Sequence, residues 1–179
     1  YFAEEKILKS LRLISHRGPD SLKIKIKSNF ALGFTRLSIQ DLSMLGDQPM
    51  SLEGDKVHIV FNGEIYNYKI IREELISLGI MFKSNSDTEV ILKSYKQWGF
   101  DQTLKKLEGM FGLCIVDENL NKAFLARDRV GMKPLFYSVH NGNLIFSSEI
   151  KVILDYTNYR ELDVFNSLNP IFMTGLSPR

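Results

Sequence analysis

The order of residue periodicities along the chain constrains its fold more than any single motif does. Strand-like segments occupy much of the first third, two helical segments lie together in the middle, and strand-like segments return in the last third. A parallel sheet built from βαβ units needs its strands and helices to alternate, so this order disfavours one. The sequence therefore predicts antiparallel sheets with helices packed on the outside.

Individual elements are predicted from these periodicities and from the residues that begin and end them. Ser86 and Glu89 have the spacing of a capping box, and Asn67 is placed to cap the preceding helix. Helices are predicted over residues 4–14, 67–78, 86–98, 101–107 and 149–154. Strands are predicted over residues 22–26, 30–35, 80–82, 110–116, 122–126, 135–139 and 143–146, and on both sides of an Asn-Gly pair within residues 57–68.

The Asn62-Gly63 pair lies between β-branched and aromatic residues, and an Asn-Gly pair in that context is the strongest short-range hairpin signal. By itself the pair is interpreted as a plain turn, because Asn-Gly turns far outnumber Asn-Gly ligand sites. A second interpretation stays open. The carboxamide of Asn62 has two donors, and Gly63 lets another molecule approach the backbone, so the pair is also suited to bind a developing oxyanion.

The composition excludes several classes of protein. With 179 residues, 44% of them hydrophobic and 25% charged, the chain has the profile of one soluble globular domain. A formal net charge of +2 gives no reason to expect nucleic acid or an acidic membrane surface as a partner. No apolar run approaches the ~20 residues of a membrane span, and the beginning of the chain does not resemble a signal peptide. We therefore expect a cytoplasmic protein that binds no membrane.

The cysteine and the histidines form no recognisable site in the sequence. Cys114 cannot form an internal disulfide, and its apolar neighbours favour a packing role over a nucleophilic one. His16, His58 and His140 are scattered, without the spacing of a metal site or of a catalytic triad. We therefore expect no metal in this domain.

Six short motifs follow one another along the chain. They are His16 to Asp20, Arg36 to Ile39, Asn62 to Asn67, Ser86 to Leu92, Arg127 to Tyr137 and Ser147 to Lys151. In this order they resemble the glutaminase domain of the class II glutamine amidotransferases, in the form carried by glutamine-hydrolysing asparagine synthetases. The resemblance extends from His16 to about Leu154, and six motifs in the same order make coincidence a poor explanation.

The resemblance implies both a fold and a reaction. The fold is α+β, a four-layer αββα sandwich of the N-terminal-nucleophile hydrolase type, with two antiparallel sheets between helical layers. The reaction is the hydrolysis of glutamine to glutamate and ammonia. An N-terminal cysteine attacks the side-chain carboxamide, and its own α-amine, which titrates at about 7.7–8.0, serves as the base.

The resemblance also assigns a glutamine site residue by residue. Asn62 and Gly63 correspond to the oxyanion hole, Arg36 to the group that holds the α-carboxylate, and Asp87 to an acceptor for the ammonium. The implied substrate-binding set is Arg36, Leu37, Ile39, Gln40, Asn62, Gly63, Glu64 and Asp87. Without the resemblance, Arg36 would be interpreted as a surface arginine and Asp87 as a helix-capping residue.

The resemblance further predicts that the chain is part of a longer protein. Residues 1–155 correspond to the glutaminase domain without its first strand and its N-terminal cysteine, so this polypeptide by itself is expected not to hydrolyse glutamine. Residues 156–179 correspond to the start of a linker into an ATP-dependent synthetase domain of the same chain. Glutamine is the expected ligand of the first domain, which needs no cofactor, while ATP and magnesium are expected only for the second. The oligomeric state stays open between a monomer and a homodimer.

Three functional hypotheses follow from the sequence. The first is the glutaminase domain of an asparagine synthetase, with an amidotransferase for another acceptor, such as a sugar carboxylate, as its close alternative. The second is a non-catalytic glutamine-binding domain, and the third is a structural or interaction domain with an ordinary hairpin at Asn62-Gly63. The loop at His16 is interpreted as structural. The loop from Arg127 to Lys133 is interpreted either as an ion-paired turn or as a contact for a partner domain.

Overall fold

The computed structural model describes residues 4–37, 46–52, 54 and 56–158, and the fold below is that of these residues. In chain order they form α1 (Glu4–Leu13), a 3₁₀ helix (Ser15–Arg17), β1 (Ser21–Ile26), β2 (Ala31–Arg36), β3 (Met50–Ser51), β4 (Val57–Ile65), α2 (Tyr68–Ser77), α3 (Asp87–Trp98), α4 (Phe100–Lys106), β5 (Gly109–Asp117), β6 (Lys122–Arg127), β7 (Phe136–His140), β8 (Asn143–Ser147) and α5 (Ile150–Thr157).

A central antiparallel sheet has the strand order β3-β4-β5-β6. Its two long strands, β4 and β5, pair from Val57 opposite Asp117 to Ile65 opposite Gly109. Most residues of both strands are buried, as expected for strands that are covered on both faces. On one face, α2, α3 and α4 pack against the sheet and form the larger core, which includes Ile59, Phe61, Ile71, Leu75, Ile91, Leu92, Leu113 and Ile115.

Two antiparallel hairpins, β1-β2 and β7-β8, form a layer on the other face of the central sheet. A second core joins them to that sheet, because Leu32 of β2 and Phe146 of β8 both pack in a cluster with Val60, Cys114 and Val116. α1 contacts β1, β2 and α5, and α5 contacts β7 and β8, so these two helices cover the hairpins. The layers are helix, hairpins, central sheet and helix, which confirms the predicted αββα sandwich.

The predicted hairpin at Asn62-Gly63 is wrong. Both residues lie inside β4, where Asn62 is opposite Gly112 and Gly63 is opposite Phe111 of β5. The ladder between these strands continues on both sides of the dipeptide, and this long-range pairing overrides the local turn preference. A plain turn is therefore removed as an interpretation of the pair.

The segment before α3 also differs from prediction. Residues 80–82 do not form a strand. The N–H groups of Lys83 and Ser84 instead donate to the carboxylate of Glu89, at 3.0 and 2.7 Å. The carboxylate of Glu89 therefore bonds to the loop before the helix. Ser86 caps α3 through its side chain, as expected.

Asn67 is the last local difference. It precedes α2 without a side-chain capping bond, and its carboxamide bonds instead to the main chain of Lys106 and Glu108. The two-residue strand Met50–Ser51 lies between the loop at residues 46–49 and β4, where the sequence predicts a strand followed by a turn.

Some predictions fall outside the described residues. These are the site residues Ile39 and Gln40 and the linker from residue 159 onward. Among the helices that the structure describes, none has both the length and the apolar character that crossing a membrane requires.

Candidate active site

A cavity of about 590 Å³ is bounded by the hairpins, the central sheet, α1 and α5. It brings together five of the predicted site residues, which are Arg36, Leu37, Asn62, Gly63 and Asp87. Each of the six sequence motifs contributes to the wall, for example through His16, Arg36, Asn62, Asp87, Lys133 and Ser147. Motifs that are distant in sequence therefore meet around one space.

The main-chain N–H groups of β4 set the geometry of this site. Successive residues of a strand point their N–H groups to opposite neighbours, so those of Phe61, Gly63 and Ile65 point to the same side. The N–H of Phe61 donates to Gln48 Oε1 at 2.5 Å, and that of Ile65 donates to Asp87 Oδ2 at 3.1 Å. Gly63 lies between Phe61 and Ile65 along β4, and its N–H points to the same side of the strand as theirs.

Gly63 can contribute only main-chain groups, because the neighbouring strand leaves no room for a side chain. A Cβ atom at this position would lie 2.1 Å from the main-chain oxygen of Met110 and 2.7 Å from Cα of Phe111. Both atoms belong to β5, which is held against β4 by the sheet ladder. The glycine that had suggested a turn is therefore required by the close approach of β5.

Asn62 lines the cavity, and its carboxamide carries an unsatisfied donor. Its Nδ2 atom is buried and has no hydrogen-bond partner among the described residues. Leaving an amide donor buried and unpaired costs about 1–3 kcal/mol, so such groups are rare in folded proteins. An acceptor oxygen brought within hydrogen-bond distance of Nδ2 would satisfy this donor. Asn62 Nδ2 and the N–H of Gly63 thus supply the two donor types of an oxyanion hole.

Asp87 is a buried carboxyl group at the start of α3. Burial raises its pKa, the hydrogen bonds from the N–H groups of Ile65 and Thr88 lower it, and the charge of Glu64 raises it again. The net result is a pKa of about 6, well above the usual value of 3.8. A cation bound beside Asp87 would favour the ionised carboxylate, so this group is suited to accept from an ammonium ion.

The raised pKa of Asp87 predicts a specific pH dependence of stability. Because the folded-state pKa exceeds the unfolded value, the folded protein binds more protons between these values, and stability falls as pH rises from about 4 to about 6. Asp87→Asn keeps an acceptor for Ile65 and carries no charge. We expect this variant to be more stable than the parent by up to about 3 kcal/mol above pH ~7 and equal to it below pH ~4. Urea unfolding at both pH values measures the difference, and a variant that is no more stable than the parent at neutral pH would contradict the assignment.

Arg36 is fixed at the end of β2 by two neighbouring segments. Its Nη1 contacts Asp47, and Lys23 contacts the same carboxylate. Its main-chain oxygen accepts from the N–H of Asp20, and Pro19 forms a bridge beside it. The loop containing Pro19 and Asp20 therefore positions Arg36, in agreement with its structural interpretation. A guanidinium has five donors, so the contact with Asp47 is compatible with binding a second carboxylate.

The loop from Arg127 to Lys133 is a fixed turn built around Asp128. Its carboxylate accepts from the N–H groups of Phe111, Val130, Met132 and Lys133. Burial raises the pKa of Asp128, but these N–H groups outweigh burial and lower it to about 2. The side chain of Arg127 contacts the main-chain oxygens of Gly131 and Lys133. The loop therefore places Lys133 and Leu135 in the cavity wall.

The histidines and Cys114 have structural surroundings. His58 is buried and bonds to Ser51 and Glu118, at 2.6 Å each. The Nε2 atom of His16 lies 2.8 Å from Oε1 of Glu149, a contact that joins the first motif to the last. Cys114 lines the cavity, and burial raises the pKa of its thiol to about 12, so little thiolate forms at neutral pH.

Two further residues complete the comparison with the predicted site. Glu64 does not line the cavity, although its charge acts on Asp87. Gln48 lines the cavity and was missed, because its sequence context predicts only a loop and its contacts are with distant strands and helices. No cluster of metal-ligating side chains is found in the part of the chain that the structure describes.

Comparison with known proteins gives an independent result. A family model described as a glutamine amidotransferase domain matches residues 2–178. Asparagine synthetase [glutamine-hydrolyzing] 1 of Bacillus subtilis is 41% identical over 161 residues, covering 89% of this chain and 25% of that protein. Amidase chry2 of Gibberella zeae is 40% identical over 154 residues, covering 85% of this chain and 23% of that protein.

The fold also matches a solved structure. Glutamine phosphoribosylpyrophosphate amidotransferase from B. subtilis, complexed with ADP and GMP, has a TM-score of 0.71 with this chain. The match covers 86% of this chain and 41% of that one, at 18% identity, and at this identity it shows similarity of fold alone. The chain thus spans about a quarter of the length of the curated relatives named above.

Proposed function

Because the chain belongs to the glutamine amidotransferase domain family, we propose that its cavity binds glutamine and that Asn62 and Gly63 stabilise the oxyanion formed during hydrolysis. The observation that carries this proposal is the buried Nδ2 of Asn62, which has no hydrogen-bond partner among the described residues, next to a glycine whose N–H lies between two side-chain contacts. Donors that are fixed before the substrate arrives stabilise developing charge without reorganisation in the transition state.

The other cavity residues orient the substrate in this proposal. Asp87 accepts from the α-ammonium of glutamine, and the charge of that ammonium offsets the cost of ionising the buried carboxyl group. Arg36 binds the α-carboxylate through its planar donors. The side-chain carboxamide of glutamine then lies toward Asn62 and Gly63. Binding roles for Leu37, which lines the cavity, for Glu64, whose charge acts on Asp87, and for Ile39 and Gln40, which lie outside the described residues, belong to the same proposal.

The reaction has two steps in which these donors act. A cysteine thiol attacks the carboxamide carbon of glutamine. The thiol proton passes through the α-amine of the same cysteine to the leaving nitrogen, and ammonia departs as the C–N bond breaks. Water then attacks the resulting thioester, and glutamate leaves as the C–S bond breaks. In both steps the carbonyl oxygen becomes negatively charged, and Asn62 and Gly63 bind it at that stage.

For the whole protein, we propose that the ammonia is used by a second domain of the same chain for ATP- and magnesium-dependent amidation of aspartate. The relatives named as glutamine-hydrolysing asparagine synthetases support this acceptor. The alternative is an amidotransferase that acts on another acceptor. Aspartate-dependent release of pyrophosphate by the natural protein that contains this chain tests the choice. Release with a different carboxylate, and none with aspartate, would contradict it.

The binding site itself is tested by the effect of glutamine on stability. We expect L-glutamine at about 100 times its Kd to stabilise the natural protein by about 2.7 kcal/mol. D-Glutamine is the matched control, because its ammonium and carboxylate cannot both reach Asp87 and Arg36 while the carboxamide reaches Asn62. An unfolding midpoint that does not respond to L-glutamine would contradict glutamine binding and would favour the structural-domain hypothesis.

Replacing Arg36 by lysine should mainly weaken substrate binding. An ammonium group cannot form two parallel bonds to a carboxylate, so Arg36→Lys is expected to raise KM about 10- to 100-fold and to change kcat less. Arg72→Lys is the control, since Arg72 donates to the main-chain oxygen of Ser84 and does not line the cavity. Steady-state kinetics with glutamine measures both variants. An unchanged KM in Arg36→Lys would remove Arg36 from the site.

A further inference from the structure

We propose that Gln48 is a positioning residue that holds Asn62 and Gly63 at a fixed distance from Asp87. This inference rests on the proposed function, because it concerns the geometry of the same site. Gln48 is 6% exposed, and its carboxamide bonds both to β4 and to the first turn of α3. It therefore connects the element that carries the oxyanion donors to the element that carries the ammonium acceptor.

The two hydrogen bonds from the Gln48 side chain to β4 continue the pairing of β4 beyond the end of β3. β3 pairs with β4 through Met50 opposite Ile59, and two residues further along this register Gln48 would lie opposite Phe61. At that point the side chain of Gln48 forms the hydrogen bonds to β4. Its Oε1 accepts from the N–H of Phe61 at 2.5 Å, and its Nε2 donates to the oxygen of Phe61 at 3.0 Å. One carboxamide thus satisfies both main-chain groups of the residue that precedes Asn62.

The second bond joins this strand to α3. The Nε2 atom of Gln48 has a second hydrogen, and it donates to Thr88 Oγ1 at 3.3 Å. Thr88 follows Asp87 in the first turn of the helix, and Asp87 itself accepts from the N–H of Ile65 at 3.1 Å. β4 and α3 are therefore connected on both sides of Asn62 and Gly63.

Removal of the carboxamide should therefore act on the transition state more than on substrate binding. A misplacement of about 1 Å can cost about 100-fold in rate, and the oxyanion donors act only as charge develops. Asp87 and Arg36 remain to bind the ground state. We expect Gln48→Met, which has a similar volume and no hydrogen-bonding amide, to lower kcat about 10- to 100-fold and to change KM less than about threefold.

A double-mutant cycle separates positioning from general destabilisation. If Gln48 acts through Asn62, then Gln48→Met should lower kcat by less than about threefold in a background that already carries Asn62→Ala. Ile115→Val is the stability control, because Ile115 is fully buried in the larger core and does not line the cavity. Thr88→Val, which removes only the weaker of the contacts, should give a smaller loss of kcat in the same direction and provides the test if Gln48→Met does not fold.

The outcomes distinguish this inference from the proposed function. A natural protein that does not hydrolyse glutamine would contradict both. A natural protein that hydrolyses glutamine, with Gln48→Met folded and equally active, would overturn the positioning role alone. If Gln48→Met lowered kcat by the same factor in the parent and in the Asn62→Ala background, the positioning role would also be overturned, because Gln48 would not act through Asn62.

Discussion

Asn62→Ala is expected to lower the kcat for glutamine hydrolysis about 100- to 1000-fold, with a smaller change in KM. The variant removes the buried Nδ2 donor, and the charge that this donor binds exists only in the transition state and the tetrahedral intermediate. The folded protein should not lose stability through a broken bond, because Nδ2 has no partner within the described structure. Steady-state glutamate release and urea unfolding, both on the natural protein, measure the two effects.

Asn29→Ala is the matched control for that variant. The amide of Asn29 donates to Asn121 at 3.3 Å in an exposed position outside the cavity. We expect its kinetics to match those of the parent. If Asn62→Ala retained more than about one tenth of the parental kcat while Asn29→Ala was normal, Asn62 would not be an oxyanion donor.

Gly63→Ala should destabilise the fold by about 3 kcal/mol or more, in addition to any loss of activity. The added Cβ would lie 2.1 Å from the main-chain oxygen of Met110 and 2.7 Å from Cα of Phe111. Neither atom can rotate away as the end of a flexible side chain could. Relief requires β4 and β5, the two inner strands of the central sheet, to separate around this position. Equilibrium unfolding in urea gives the change in free energy.

Gly142→Ala provides the comparison for this substitution. Gly142 has a φ of +74° at the turn between β7 and β8, and a Cβ there would meet no atom within 4 Å. Alanine at this site is expected to cost about 1 kcal/mol through backbone strain alone. If Gly63→Ala lowers the free energy of unfolding by no more than Gly142→Ala does, the close approach of β5 does not explain why residue 63 is a glycine.

The order and spacing of apolar residues predicted antiparallel sheets with helices on the outside, and the family resemblance added the four-layer arrangement. The long helix from Asp87 to Trp98 carries a periodic apolar face, and the strand from Gly109 to Asp117 is a nearly continuous apolar run. The positions of both agree with prediction to within a few residues. The capping of α3 by Ser86 was predicted for a similar reason, since the cap acts within one turn.

Features that depend on distant partners were not predicted from local sequence. The Asn62-Gly63 pair has a turn signature, but its conformation is decided by nine pairs with β5, a strand that begins more than forty residues later. The position of Gln48 beside Phe61 and Thr88 depends on three separate segments meeting. The ordered set of motifs named five of the residues that line the cavity, whereas only the three-dimensional structure shows that Asn62 Nδ2 has no partner among the described residues and that Gln48 connects β4 to α3.

The most direct test is to identify the residue that carries the glutamyl group during hydrolysis. The natural protein is mixed with L-glutamine, quenched with acid within one turnover, digested, and mapped by mass spectrometry for a γ-glutamyl thioester. We expect the thioester on an N-terminal cysteine, formed much more slowly in Asn62→Ala. A thioester on Cys114, which also lines the cavity, or glutamate release with no thioester at any cysteine, would contradict the proposed site.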